Sequence, residues 1–255
     1  MVHDALTGLH IAVTRPAEQA ADLCLAIAAQ GGVAIDYPLL AIAALDDYSG
    51  FDQAIAGLAS ADWAIFISSN AVDYAMPRVI KRFGQLPKPL QFAGIGPQTA
   101  QHLAKFGVDQ VLMPHTRFDT EALLALAPMQ SVANKNIVIF RGLGGREVLA
   151  ETLKSRGARV TFAESYRRYN PQKNALLLEQ KWQQGELDAV VVTSSEAMRN
   201  LIQLAGQAPW LKNVRLCVNH ARIAELPISM GLKVNVAKAP GDAAMLDCLA
   251  NLRPH

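Results

Sequence analysis

The chain has 255 residues, enough for one large or two modest domains with a substantial core. Hydrophobic residues make up 51% and charged residues 18%, which excludes a disordered chain. A net charge of +2 argues against a dedicated nucleic-acid binder and leaves room for a local basic cleft.

In chain order, Leu9–Thr14 is a short strand-like run ending at Arg15-Pro16, and a helix over 17–30 is stopped by Gly31-Gly32. Val33–Tyr37 reads as a second strand, and the chain continues extended through Pro38–Ile42. Ser49 is expected to cap a helix reaching Leu58. A buried strand over 62–67 ends in Ser68-Ser69-Asn70 and leads into a helix to Phe83. A strand over 90–95 ends in Gly96-Pro97-Gln98-Thr99, with a helix stopping at Gly107. A strand over 109–113 and a helix from Asp119 follow.

Ile137–Phe140 restarts the series and meets Arg141-Gly142-Leu143-Gly144-Gly145 and a helix that ends at Gly157. Strands are expected over 160–162 and through Ser165–Pro171. A helix over 172–184 comes next, then a strand over 188–192 ending in Thr193-Ser194-Ser195. A helix, a strand over 214–218, a helix from His220, a strand over 233–236 and a helix after Gly241-Asp242 complete the pattern. Strands alternating with helices imply α/β units with parallel sheets.

The series is an internal repeat. Ile11–Arg15 matches Ile137–Arg141 at an offset of 126, as do Asp62 and Asp188, Ser68-Ser69 and Ser194-Ser195, and Ala71 and Ala197. Asp119, Leu123 and Leu126 match Asp242, Leu246 and Leu249 at an offset of 123. In this register Arg15 has a twin in Arg141, whereas Tyr166 falls opposite Leu40. Tyr166 belongs to Ser165-Tyr166-Arg167-Arg168-Tyr169-Asn170-Pro171, a stretch expected to cross between two similar domains and place a tyrosine over the cleft. The plainer reading of that stretch is an edge strand with solvated arginines.

Ligands of open parallel sheets bind beyond the carboxyl ends of the strands. The residues there are Arg15; Ser68, Ser69 and Asn70; Gly96, Gln98 and Thr99; Arg141; Thr193, Ser194 and Ser195; and Asn219, His220 and Arg222. Several stand just before helices, where open backbone N–H groups and the positive dipole end attract anions. Singly, each hydroxyl or amide reads as an ordinary N-cap. Together, after four or more strands in both copies, they imply an anionic ligand.

Gly142-x-Gly144 before a helix, with Glu164 about 20 residues on, invites a dinucleotide reading. Glu147 occupies the place of the third glycine and argues against it. No nucleophile–histidine arrangement follows from spacing, and Ser194 and Ser195 lack the Gly-x-Ser-x-Gly elbow. The six histidines have no ligand spacing, so no metal is expected. Cys24, Cys217 and Cys248 sit in apolar segments and fit reduced, buried thiols. Neither a signal peptide nor a transmembrane run is evident, so the expected location is the cytoplasm.

With these segments in view, the chain resembles the uroporphyrinogen-III synthase family over nearly its whole length. The resemblance is carried by Val13-Thr14-Arg15-Pro16, Phe66-Ile67-Ser68-Ser69-Asn70-Ala71 and Gly94-Ile95-Gly96-Pro97-Gln98-Thr99-Ala100. Arg141-Gly142, Tyr166-Arg167-Arg168, Val192-Thr193-Ser194-Ser195 and Pro240-Gly241-Asp242-Ala243-Ala244 continue it in order. Asn219-His220-Ala221-Arg222 matches loosely, since a serine is common where Asn219 stands.

The resemblance implies two similar parallel-sheet (flavodoxin/Rossmann-like) α/β domains joined by a two-stranded antiparallel linker. One domain is then discontinuous, over 1–37 and 172–255, the other covers 44–164, and the linker strands are 38–43 and 165–171. It implies a lyase that dehydrates and cyclises hydroxymethylbilane with inversion of the last pyrrole ring, giving uroporphyrinogen III for haem biosynthesis. The substrate would bind between the domains, its eight carboxylates held by the strand-end residues named above. Tyr166 matches the family's tyrosine implicated in expelling the hydroxyl. Neither cofactor nor metal is needed. A monomer is expected, making transient contact with the preceding enzyme of the pathway and none with nucleic acid or membrane. The competing class is a non-catalytic two-lobed binding protein for an anionic metabolite, sharing the fold without the chemistry.

Overall fold

A computed structural model describes residues 4–252 of the chain. The chain folds into two compact units, one taking the chain through Ala41 and again from Tyr169 onward, the other Ile42–Arg168.

The first unit contains β1 (His10–Val13), α1 (Ala17–Ala29) and β2 (Val33–Asp36). Its later part contains α8 (Leu176–Gln183), β9 (Ala189–Val192), α9 (Ser195–Ala205), α10 (Pro209–Asn213), β10 (Arg215–Val218), α11 (Ala221–Ser229), β11 (Val234–Val236) and α12 (Asp242–Ala250). The strands form a parallel sheet in the order β2-β1-β9-β10-β11. Ile11 and Val13 face one core layer with Leu23, Ile27, Cys217 and Met245, while Ala12 faces the other with Leu178, Leu201 and Trp210. This alternation is the period-2 geometry of a strand buried on both faces. The turn after α1 needs Gly31, which has φ +78° and lies so close to Thr7 that a Cβ would stand 2.5 Å from its hydroxyl oxygen.

The second unit contains β3 (Ala41–Ala44), α2 (Ser49–Ala56), β4 (Trp63–Phe66), α3 (Ser69–Phe83), β5 (Gln91–Gly94), α4 (Pro97–Ala104) and β6 (Val111–Leu112). It continues with α5 (Thr120–Leu124), α6 (Ala127–Gln130), β7 (Asn136–Gly142), α7 (Val148–Ser155) and β8 (Arg159–Tyr169). The sheet order is β3-β8-β7-β4-β5-β6, with β8 to β6 parallel and β3 on the edge beside β8. Phe66 and Phe140 stack within one core layer, their centroids 4.3 Å apart. Burying each such side chain contributes about 1.5–3 kcal/mol.

Leaving out β3 and counting strands by their place in the repeat, the two sheets have the same order: the second and first strands of one copy (β2-β1, β8-β7) lie beside the third, fourth and fifth of the other (β9-β10-β11, β4-β5-β6). The repeat extends to their registers. Ile11 pairs with Ala189 in one sheet, and their twins at the 126-residue offset, Ile137 and Trp63, pair in the other. The Asp188 carboxylate accepts from the His10 N–H at 2.7 Å, and its twin Asp62 accepts from the Asn136 N–H at 2.8 Å. Each sheet therefore combines strands from both copies of the repeat.

Local readings change in three places. Ser49 is the first residue of α2 rather than its cap, because the Asp47 carboxylate takes its N–H at 2.8 Å. The strand expected over 160–162 and the stretch from Ser165 are one continuous strand, β8, paired with β7 from Arg159 as far as Tyr166. The helix expected from Gln172 begins at Leu176, after Asn174 turns its side-chain oxygen onto the Leu176 N–H at 3.1 Å. Among the described residues no helix is long and apolar enough to cross a membrane.

Candidate active site

This strand order places a topological switch point between β1 and β9 in the first unit and between β7 and β4 in the second. In open parallel sheets ligands bind at such a point, beyond the strand ends.

In the second unit, the sequence after β4 turns at Ser68, whose extended backbone and side chain cap α3. Its Oγ accepts from the Ala71 N–H at 3.1 Å. Ser69 and Asn70 occupy the first turn of α3, where N–H groups lack partners within the helix. On the other flank of the switch, β7 ends at Arg141-Gly142, and a register shift there brings Gly142 opposite Tyr166 of β8. The Tyr166 ring packs so closely on this backbone that a Cβ at Gly142 would lie 2.6 Å from two ring carbons. Its phenol oxygen lies 3.2 Å from Ser68 Oγ, and either hydroxyl can donate. Tyr166 is 3% exposed, with Tyr74 tilted against it at 5.9 Å between centroids. The structure thus joins two of the expected residues, Ser68 and Tyr166, in one hydrogen-bonded pair.

The same end of this sheet carries Gly96, Gln98 and Thr99 at the start of α4. Gly96 is the extended residue before the helix and lies under Phe118, Gln98 is exposed, and Thr99 is buried against Gly94. Arg141 differs from the expected carboxylate ligand. It is 2% exposed, stacks its guanidinium 4.5 Å above the Phe162 ring, and donates to the carbonyls of Gly142 and Gly144. Its charge organises the loop after β7.

Glu164 completes that loop by accepting from the Gly144 N–H at 3.0 Å. The dinucleotide reading fails on this geometry, since the amide and the acid that would hold pyrophosphate and ribose bind each other.

In the first unit, Ser194 caps α9 as Ser68 caps α3, its Oγ accepting from the Ala197 N–H at 3.0 Å. Thr193 and Ser195 flank it, half-buried. Across the switch, Arg15 donates to Asp242 at the start of α12 at 2.6 Å, so its charge is already paired. Next to β9, the strand β10 is followed by Asn219 and His220. The Asn219 side-chain oxygen is buried without a hydrogen-bond partner, and His220 caps α11 by accepting from the Arg222 N–H at 3.1 Å. Arg222 is exposed. Among the described residues no cluster of His, Cys, Asp or Glu is arranged to hold a metal ion.

Sequence reasoning missed three contributors: Gly142 as the platform under Tyr166, Glu164 as the loop's acceptor, and Asp242 as the partner of Arg15. All three belong to motifs visible in the sequence, but none announces its partner through spacing.

The family profile described as uroporphyrinogen-III synthase HemD matches residues 21–247. The uroporphyrinogen-III synthase of Escherichia coli (strain K12) is 32% identical over 245 residues, covering 94% of this chain and 100% of that protein. The synthase of Synechococcus elongatus is 32% identical over 209 residues, covering 80% of this chain and 77% of that protein. Among solved structures, a mutant uroporphyrinogen III synthase from the extremely thermophilic bacterium Thermus thermophilus superposes with a TM-score of 0.67 at 17% identity, over 96% of this chain and 98% of that one. The Helicobacter pylori enzyme gives 0.57 at 16% identity, over 96% and 100%. The structural likenesses establish the α/β fold. The sequence matches, extending through both copies of the repeat, establish that the chain belongs to the uroporphyrinogen-III synthase family.

Proposed function

We propose that this chain performs the reaction for which its family is named, closing linear hydroxymethylbilane to uroporphyrinogen III with the last pyrrole ring inverted. The observation that carries the reading is the match to the Escherichia coli synthase along the whole of that protein. A binding protein without the chemistry has no observation of its own in its favour.

The reaction asks for little beyond positioning and one proton. The departing hydroxyl oxygen takes a proton and leaves as water, and the resulting azafulvene carbon is attacked by the substituted carbon of the last ring. The spiro intermediate then fragments and recloses with that ring inverted. No electrons leave the substrate, so the chemistry calls for no redox cofactor. We assign the proton donor as Tyr166, since a phenol is neutral near pH 7 and can donate. Ser68, 3.2 Å from its oxygen, is placed to hydrogen-bond the phenolate left behind.

The carboxylates suit the helix starts of α3, α4, α9 and α11, where N–H groups and hydroxyls converge without the desolvation cost of a buried charge. Ser68, Ser69, Asn70, Gly96, Gln98 and Thr99 are the candidates in one unit, and Thr193, Ser194, Ser195, Asn219, His220 and Arg222 in the other. Arg15 can take part by exchanging Asp242 for a substrate carboxylate. Holding both ends of a flexible bilane in a reactive geometry supplies the remaining catalysis. The same reading makes the protein a cytoplasmic monomer that receives its unstable substrate through brief contact with the preceding enzyme. The test is the isomer formed from hydroxymethylbilane.

A further inference from the structure

Away from the strand ends, all three cysteines lie in one core layer of the first unit: Cys24 on α1, Cys217 on β10 and Cys248 on α12. Cys217 is fully buried, while Cys248 is half-buried on a helix, α12, that packs against β10. Cys248 also lines a cavity of about 130 Å³ with Asn235, Lys238, Asp247 and Asn251. We propose that Cys248 and Cys217 form a thiol-modification site in which Cys248 attacks a hydroperoxide and Cys217 resolves the product to a disulfide between α12 and β10.

The two thiols are electronically unlike. The Cys217 S–H donated to its neighbour's sulfur favours the Cys248 thiolate and brings that thiol down to about 7. The same contact, with burial, pushes Cys217 well above the ordinary thiol value. Cys24 moves upward through burial and the nearby Asp36 charge, so it is poorly suited to attack. The thiolate is the nucleophile, and reactivity follows its population and access.

The chemistry balances in two steps. The Cys248 thiolate attacks one peroxide oxygen, the O–O bond breaks, and the leaving hydroxide takes a proton to give water and a sulfenic acid. The Cys217 sulfur then displaces the sulfenic hydroxyl, forming the S–S bond and a second water. The peroxide is reduced by two electrons and the thiol pair is oxidised by two. This site is independent of the proposed reaction, and activity is not its readout.

The experiment uses the native protein at pH 7, with peptide mass spectrometry. Limiting iodoacetamide should modify Cys248 about tenfold faster than Cys24 and leave Cys217 unmodified until the protein is unfolded, the larger thiolate fraction outweighing the lower intrinsic nucleophilicity. Hydrogen peroxide should then yield a Cys217–Cys248 linked peptide lighter by two hydrogens and restored by dithiothreitol. In Cys217→Ser the oxidation should stop at a dimedone-reactive sulfenic acid on Cys248. Equal labelling of Cys24 and Cys248, or peroxide treatment that leaves these two peptides unlinked, would overturn the proposal.

Discussion

The phenol oxygen of Tyr166 stands 3.2 Å from the hydroxyl oxygen of Ser68, across the end of β7 from it. Ser68 already accepts from the Ala71 N–H, so its remaining proton can turn to the phenol oxygen as charge builds there. Replacing Tyr166 by Phe keeps the buried ring and removes only this oxygen. If the phenol is the acid, kcat should fall about tenfold to a hundredfold, at or below the low end for a general acid, with KM within about threefold of wild type. Steady-state kinetics decide the matter, and an unchanged kcat would remove the acid role.

Gly142 should matter because of the ring lying on it. A Cβ there would sit 2.6 Å from Cε2 and Cζ of Tyr166, closer than any contact the ring can tolerate. Gly142→Ala should therefore displace the phenol, lowering kcat as Tyr166→Phe does, and destabilise the unit by about 1–3 kcal/mol through overpacking. The double variant should be no slower than the worse single one. Independent, multiplicative losses in kcat would show that Gly142 acts by another route.

The duplicated caps give a matched pair. Ser68 and Ser194 each accept from the N–H three residues on, at 3.1 and 3.0 Å. Ser→Ala at either site should cost about 1 kcal/mol in urea unfolding. Ser68→Ala should cost more than its twin, since it also strips Tyr166 of its partner. A larger loss at Ser194 would contradict the assigned asymmetry.

This pairing shows where sequence reading succeeds and where it stops. The caps, the alternation of buried strands and the offset of 126 residues are all local or periodic signals, so the parallel α/β class and the twin turns are legible in the residues alone. Partner choice is not local. Arg15 and Arg141 are sequence twins, yet one pairs with Asp242, 227 residues away, and the other folds onto its own loop. Tyr166 stands out by breaking the repeat, but its contact with Ser68 depends on a register shift in β7–β8 that no residue pattern signals. The arginines Arg167 and Arg168 draw attention by charge alone, and Arg167 lies 3.6 Å from Asp46.

Acid should weaken the fold through Asp62. The Lys135 ammonium, then the Asn136 N–H, hold its carboxyl below the ordinary 3.8. A carboxyl lowered on folding contributes stability that is fully present above its unfolded value and is lost as pH falls through its folded one. Stability should therefore be flat in this respect above about pH 5 and decline below about pH 4. Asp62→Asn should lower the plateau slightly and make the acid limb shallower. Thermal unfolding across that range checks it, and an unaltered acid slope in the variant would reject this assignment.

The central claim is catalytic, and the isomer produced tests it most directly. Hydroxymethylbilane, generated enzymatically in place, closes on its own to the uninverted uroporphyrinogen I. With this protein present, chromatography of the oxidised products should show uroporphyrin III, from uroporphyrinogen III, as the main isomer, formed at a rate proportional to protein concentration. Only the uninverted isomer, at the spontaneous rate, would contradict the account.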